Sequence, residues 1–178
     1  GYLVRDNQFS INEVNSLRHA LERAVNKAQE KAPGGKAYYL DKKKFVDVDY
    51  MTLQYEQESD ENILKVIEPA HFLDKELYSL TQDTRITDPV RSILEEDEIS
   101  LWTDKLNLKR PGKGTGFGWH QDSPYWVHDS KNVDLLPNVY LSLDNADANN
   151  GCFRVIRASH KAGCLPGTSN GTQLGGFY

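Results

Sequence analysis

This chain's sequence predicts a mainly β domain with flanking helices, and three observations carry that expectation. Helical periodicity is strong in one long N-terminal stretch. Alternation of apolar residues takes over between residues 38 and 55. After residue 98 the pattern breaks into short apolar runs set off by glycine, asparagine and proline. With 178 residues, 38% hydrophobic and 26% charged, the chain is long and apolar enough for one soluble globular domain with its own core.

Tyr2-Leu3-Val4 reads as a short entering strand. A helix start follows, with Ser10 as cap, Glu13 completing a capping box and Phe9 placed to staple onto Val14. Ile11, Val14, Leu17, Leu21 and Val25 recur at helical spacing with Ala20, Ala24 and Ala28 between them, so the helix should run to just before Pro33. Val46, Val48 and Tyr50 then share one face of an extended run. Met51, Leu53 and Tyr55 continue on the other parity, which calls for a turn or bulge near Tyr50. Residues 56–62 form a polar connection, and residues 63–67 an apolar run interrupted by Lys65.

Two helices are expected at about 74–81 and 89–95, the second with Asp88 as cap and Pro89 in the first helical position. Residues 99–108 are a strand candidate. The glycines 112, 114, 116 and 118 lack the G-x-x-x-x-G-K-[ST] pattern and lead toward a strand, so a phosphate loop is excluded and a mobile lip beside a site is expected. Residues 139–143 and 152–156 are short β runs joined by the turn signal Asn149-Asn150-Gly151. Beyond Lys161 the sequence becomes loop-like.

A net charge of -5 argues against a nucleic-acid partner, and the clusters Lys42-Lys43-Lys44 and Lys109-Arg110 with Lys113 read as solvated strand ends and loops. No apolar run approaches the roughly 18 residues of a membrane span. Cys152 and Cys164 lack a C-x-x-C spacing, which excludes a zinc signature and suits free thiols in a reducing, intracellular compartment, the alternative being a single bridge between them.

The chemistry centres on residues 119–126, Trp-His-Gln-Asp-Ser-Pro-Tyr-Trp. On a strand, His120 and Asp122 would point to one face and Gln121 away from it. An imidazole and a carboxylate aimed at a common point make up two of the three ligands in a 2-His-1-carboxylate site for iron(II). H-x-D alone is a weak signal, because a strand-end histidine beside a solvated aspartate looks the same. Trp119, Tyr125 and Trp126 strengthen it, since aromatics beside two ionisable groups are costly unless they wall a pocket. His19, His71, His128 and His160 are weaker candidates, in a helix, in loops or beyond the aromatic cluster.

Residues 108–126 resemble the iron-binding signature of the phytanoyl-CoA dioxygenase family, non-haem iron(II) and 2-oxoglutarate-dependent oxygenases. Further pieces match in order. Residues 1–18 resemble the family's opening strand and helix. Residues 141–156 resemble the hairpin before its Gly-Ser-His-Lys segment, written here Ala158-Ser159-His160-Lys161.

The resemblance implies a double-stranded β-helix (jelly-roll, cupin-like) core, incomplete at the C-terminus. It implies a single domain over 1–178, with a helix and strand region to about 97 and the iron-binding part from 98. His120 and Asp122 would ligate iron(II), and 2-oxoglutarate would be the cosubstrate. Lys65 matches a lysine able to reach that cosubstrate, the alternative being a side chain that snorkels from an edge strand. Tyr140 matches an aromatic beside the cosubstrate or fills the barrel. Gln121 would support the site without ligating, and His160 belongs to a structural loop. An aspartate at 122, where related halogenases carry a small residue, implies hydroxylation.

One departure stands out. The family's distal histidine and following arginine have no match here, since residues 168–178 contain neither. The expectation is that both lie beyond Tyr178 in a longer chain. The function so implied is hydroxylation of an unactivated C–H bond of a small organic substrate by O₂, with release of succinate and CO₂. The alternatives are a catalytically silent jelly-roll binding protein retaining a partial metal site, and a metal-dependent hydrolase or isomerase on a cupin-like barrel.

Overall fold

The computed structural model describes residues 1–40, 42–57, 62–112, 114–126, 130–163 and 165, without the side chains of Tyr125 and Asp134. The chain forms two compact units, Gln8–Thr115 and the pair of segments Gly1–Asn7 and Gly116–Tyr178.

The unit Gln8–Thr115 is built on helix α1 (Ile11–Lys31) and an antiparallel sheet of β1 (Lys36–Leu40), β2 (Lys43–Val48), β3 (Met51–Gln57), β4 (Leu64–Glu68) and β5 (Leu106–Asn107), in that order. The capping box at the start of α1 forms as expected: Glu13 N donates to Ser10 Oγ at 3.3 Å, and Ser10 N donates to Glu13 Oε2 at 2.8 Å. Those bonds, with help from Arg85, hold the Glu13 carboxyl down at about 2. Ala20, Ala24 and Ala28 are fully buried, and with Val25 they pack on Val46, Leu53, Tyr55 and Ile67. Methyl side chains let the helix lie close to the sheet, where burial of apolar surface contributes about 25 cal/mol per Å².

The parity change near Tyr50 is the β2–β3 turn, with Val48 opposite Met51. Helix α2 (Lys75–Thr81) starts at Asp74, which accepts from Glu76 N at 2.9 Å and pairs with Arg23 of α1 at 2.8 Å. Arg110, exposed as its basic cluster predicts, also holds Glu22 of α1 through its two terminal guanidinium nitrogens.

Before residue 109 the structure departs from expectation in three stretches. Helix α3 spans Thr84–Leu94 and its cap is Asp83, not Asp88, so Pro89 falls inside the helix. Asp83 accepts from Arg85 N at 2.9 Å and also binds the Arg85 guanidinium, a local network that outweighs the proline signal. The strand expected over 99–108 shrinks to β5, because the residues before it bond through side chains. Asp104 receives Ala70 N and His71 Nδ1, and Thr103 donates to Glu68. Tyr2-Leu3-Val4 is exposed and forms no strand.

In the second unit the described residues form one short helix, α4 (Ser123–Trp126), and 3-10 turns at Val133–Leu135 and Ser159–Ala162. The Asn149-Asn150-Gly151 turn is present, with Cys152 N donating to Asp147 O at 3.1 Å. Residues 139–143 and 152–156 are not strands, although Tyr140 and Phe153 stack across the turn at 4.9 Å. A lone two-stranded ribbon is marginal in water, so a turn and one ring pair do not establish a ladder. Cys152 is a free thiol, while Cys164, Lys113, His128 and the 168–178 tail lie outside the described residues. Among the described residues no helix is long and apolar enough to cross a membrane.

Candidate metal centre

Residues 119–122 are not a strand. They are an irregular stretch entering α4, and His120 and Asp122 converge nonetheless. His120 Nδ1 lies 2.7 Å from Gly118 O. A carbonyl only accepts, so Nδ1 carries the proton, and in the neutral ring Nε2 is then an acceptor that would be able to ligate a metal. Nε2 lies 3.3 Å from Asp122 Oδ1. The other carboxylate oxygen, Oδ2, accepts from Asn138 Nδ2 at 2.8 Å.

A lone pair and a carboxylate oxygen facing each other at that range call for a proton or cation between them. Two donors bound at right angles to an octahedral ion, each about 2.1 Å from it, would be about 3 Å apart. The pair therefore fits two adjacent ligands of one metal ion. Among the described residues no cluster of three or more histidine, cysteine, aspartate or glutamate side chains is able to complete the set.

Of the aromatic residues expected to wall a pocket, Trp119 is 46% exposed and Trp126 half-buried, and the side chain of Tyr125 lies outside the description. Tyr140 is also exposed, its ring lying on Phe153. Gln121 spends its amide on the backbone. Nε2 donates to Gly163 O at 2.9 Å, and Oε1 accepts from Leu165 N at 2.7 Å. His160 sits in the 3-10 turn Ser159–Ala162.

Lys65 belongs to the other unit. It is 2% exposed on an interior strand, so it does not snorkel from an edge. The β3–β4 ladder steps from Gln54–Val66 to Tyr55–Leu64, which makes Lys65 an extra, bulged residue. A bulge re-aims a side chain, and here the ammonium lies 3.6 Å from Glu56 Oε2. Lys65 Nζ also donates to the Thr115 hydroxyl and, at 2.9 Å, to its carbonyl. Thr115 in turn donates from N and Oγ1 to Glu56 at 3.2 and 2.7 Å. Burial pulls the Lys65 ammonium below the ordinary lysine value, and Glu56 opposes that shift.

The glycine-rich approach is therefore pinned at its centre instead of forming a free lip. Gly114, with φ 135°, supplies a backbone conformation that other residues rarely adopt and passes against Glu56. Sequence reasoning missed Glu56, Thr115 and Asn138. Glu56 carried one signal, a carboxylate continuing the parity of Gln54 on a strand, but its partners are 59 and 9 positions away and only folding brings them together.

The model of the phytanoyl-CoA dioxygenase family (PhyH) matches residues 1–172. The chain belongs to that family. Its curated relatives include an L-proline trans-4-hydroxylase of Streptomyces griseoviridis, 33% identical over 40% of this chain and 27% of that protein. An ectoine dioxygenase of Nocardia farcinica is 25% identical over 90% of this chain and 48% of its own length. A phytanoyl-CoA dioxygenase domain-containing protein 1 homolog of Caenorhabditis elegans is 25% identical over 90% and 62%. The chain thus spans less than two-thirds of each of these relatives. No solved structure matches it.

Proposed function

We propose that the protein is an iron(II)- and 2-oxoglutarate-dependent oxygenase that hydroxylates an unactivated C–H bond of a small organic molecule. The observation that carries this reading is the 3.3 Å approach of His120 Nε2 to Asp122 Oδ1, with the other polar atom of each side chain held by Gly118 O and Asn138. The family match and the dioxygenase and hydroxylase names of its relatives support it.

His120 and Asp122 would hold the metal, with a further histidine that the described residues do not supply. When bound, iron(II) with O₂ and 2-oxoglutarate supplies the oxidising equivalent, one oxygen atom going to the substrate and one to succinate as CO₂ leaves. Gly118 fixes the imidazole tautomer, and Asn138 keeps Asp122 turned so that Oδ1 faces the histidine. Aspartate at 122 fills the position that a halide would otherwise need, which favours hydroxylation. Lys65 is the proposed cation for a carboxylate of 2-oxoglutarate, with Glu56 as its resident counter-charge. Tyr140 is the proposed aromatic neighbour of the cosubstrate, and Gln121 a supporting residue of the metal segment. The jelly-roll core and the single oxygenase domain belong to the same proposal.

Asp122→Ala should abolish succinate formation that depends on O₂, iron and 2-oxoglutarate. Turnover that survives the substitution would remove Asp122 from the ligand set. An intact protein that releases no succinate with O₂, iron(II) and 2-oxoglutarate would point to a hydrolase or isomerase instead.

A further inference from the structure

Gln121 stands between the two proposed ligands, yet its amide bonds to neither. It donates to Gly163 O and accepts from Leu165 N, at 2.9 and 2.7 Å. Two bonds of opposite sense to backbone groups two positions apart imitate the N–H and C=O of one residue bonding its neighbour in a parallel ladder. Glutamate keeps the acceptor but loses the donor, and asparagine is one methylene too short. The partner segment is itself shaped for this contact. The 3-10 turn Ser159–Ala162 ends at Gly163, whose φ of 69° is glycine territory, and Gly163 N donates back to His160 O at 3.3 Å.

We propose that Gln121 is a positioning residue that couples metal binding at His120 and Asp122 to the ordering of the 159–165 segment. Locking the amide on Gly163 and Leu165 fixes the backbone that carries both ligands, so part of the cost of ordering the metal site is met before the metal arrives. By reciprocity, the metal should tighten the segment by the same factor by which the segment tightens the metal. The metal half of the inference rests on the oxygenase reading, whereas the clamp itself does not.

The test is hydrogen exchange of peptides covering 158–165, with and without cobalt(II) as the metal probe, alongside a cobalt(II) titration followed by its visible absorption. Wild type, Gln121→Ala, Gln121→Glu and His120→Ala are compared, with far-UV circular dichroism to check folding. Without metal, exchange in these peptides should be faster in both Gln121 variants than in wild type, and His120→Ala should leave it unchanged. Cobalt should slow that exchange in wild type only, and its affinity should fall about 10-fold in Gln121→Ala. Equal metal-free exchange in wild type and Gln121→Ala overturns the clamp. Cobalt protection persisting in Gln121→Ala overturns the coupling. A wild type that binds no cobalt while the metal-free difference stands would overturn the oxygenase reading and the coupling but leave the clamp standing. A misfolded alanine variant leaves the glutamate variant to decide, by the same readings.

Discussion

The two units of this chain solve different problems with the same kinds of residue. In Gln8–Thr115 the apolar side chains are spent on packing, with Ala20, Ala24, Ala28, Leu53 and Ile67 fully buried between helix and sheet. In the unit containing residues 116–178, Trp119, Val139, Tyr140 and Phe153 stay exposed, and regular structure among the described residues amounts to one short helix and two 3-10 turns. Charges divide the same way. Lys65 and Glu56 are buried against each other, whereas the His120–Asp122 pair is open to solvent, with side chains 29% and 48% exposed. A buried pair is held by its surroundings at a desolvation cost. An exposed pair at 3.3 Å is held by hydrogen bonds from its own neighbourhood, which keeps it accessible to a ligand.

The largest test of that contrast is Lys65→Met, which strands the Glu56 carboxylate in the sheet. It should destabilise the protein by about 3–5 kcal/mol in urea unfolding. The double variant Lys65→Met/Glu56→Leu should recover most of the loss, and a double variant as unstable as the single one would mean that the pair is not coupled.

Next in size is Asp74→Ala, which removes the cap of α2 and should cost about 1–2 kcal/mol. Asp74 also supplies a pH signature. Its hydrogen bond to Arg23 is the main cause of a pKa below the usual aspartate value. Its stabilisation is therefore complete above the unfolded value of about 3.9 and disappears as pH falls through the lower folded one. The variant should lose stability less steeply than wild type across that acid range.

The smallest effect on stability belongs to the open site. Asn138→Ala should shift unfolding by less than about 0.5 kcal/mol while weakening metal binding roughly 10-fold or more, as seen in a metal titration. A large stability loss with unchanged metal affinity would reverse the roles assigned to the two units.

The same contrast explains what the sequence made legible. Periodicity and caps located α1, β2, β3, β4 and α2 because in that unit the packing partners agree with local propensity. Pro89 misled where Arg85 and Asp83 formed a stronger local network, and 99–108 misled where side-chain bonds replaced a ladder. In the second unit the two residues of H-x-D do converge, as the sequence reading expected, but not by the route it expected. Their convergence comes from Gly118 O and Asn138, not from strand geometry. No spacing rule reveals Asn138, which reaches Asp122 from 16 positions away.

The most direct test of the central claim is an anaerobic titration of the full-length protein with iron(II) and 2-oxoglutarate, monitored for the weak visible charge-transfer band of the metal chelate. The band should appear in wild type and be lost in both His120→Ala and Asp122→Ala, with each variant still folded. Absence of the band from wild type, or its persistence in either variant, would contradict the assignment of this pair as the metal centre.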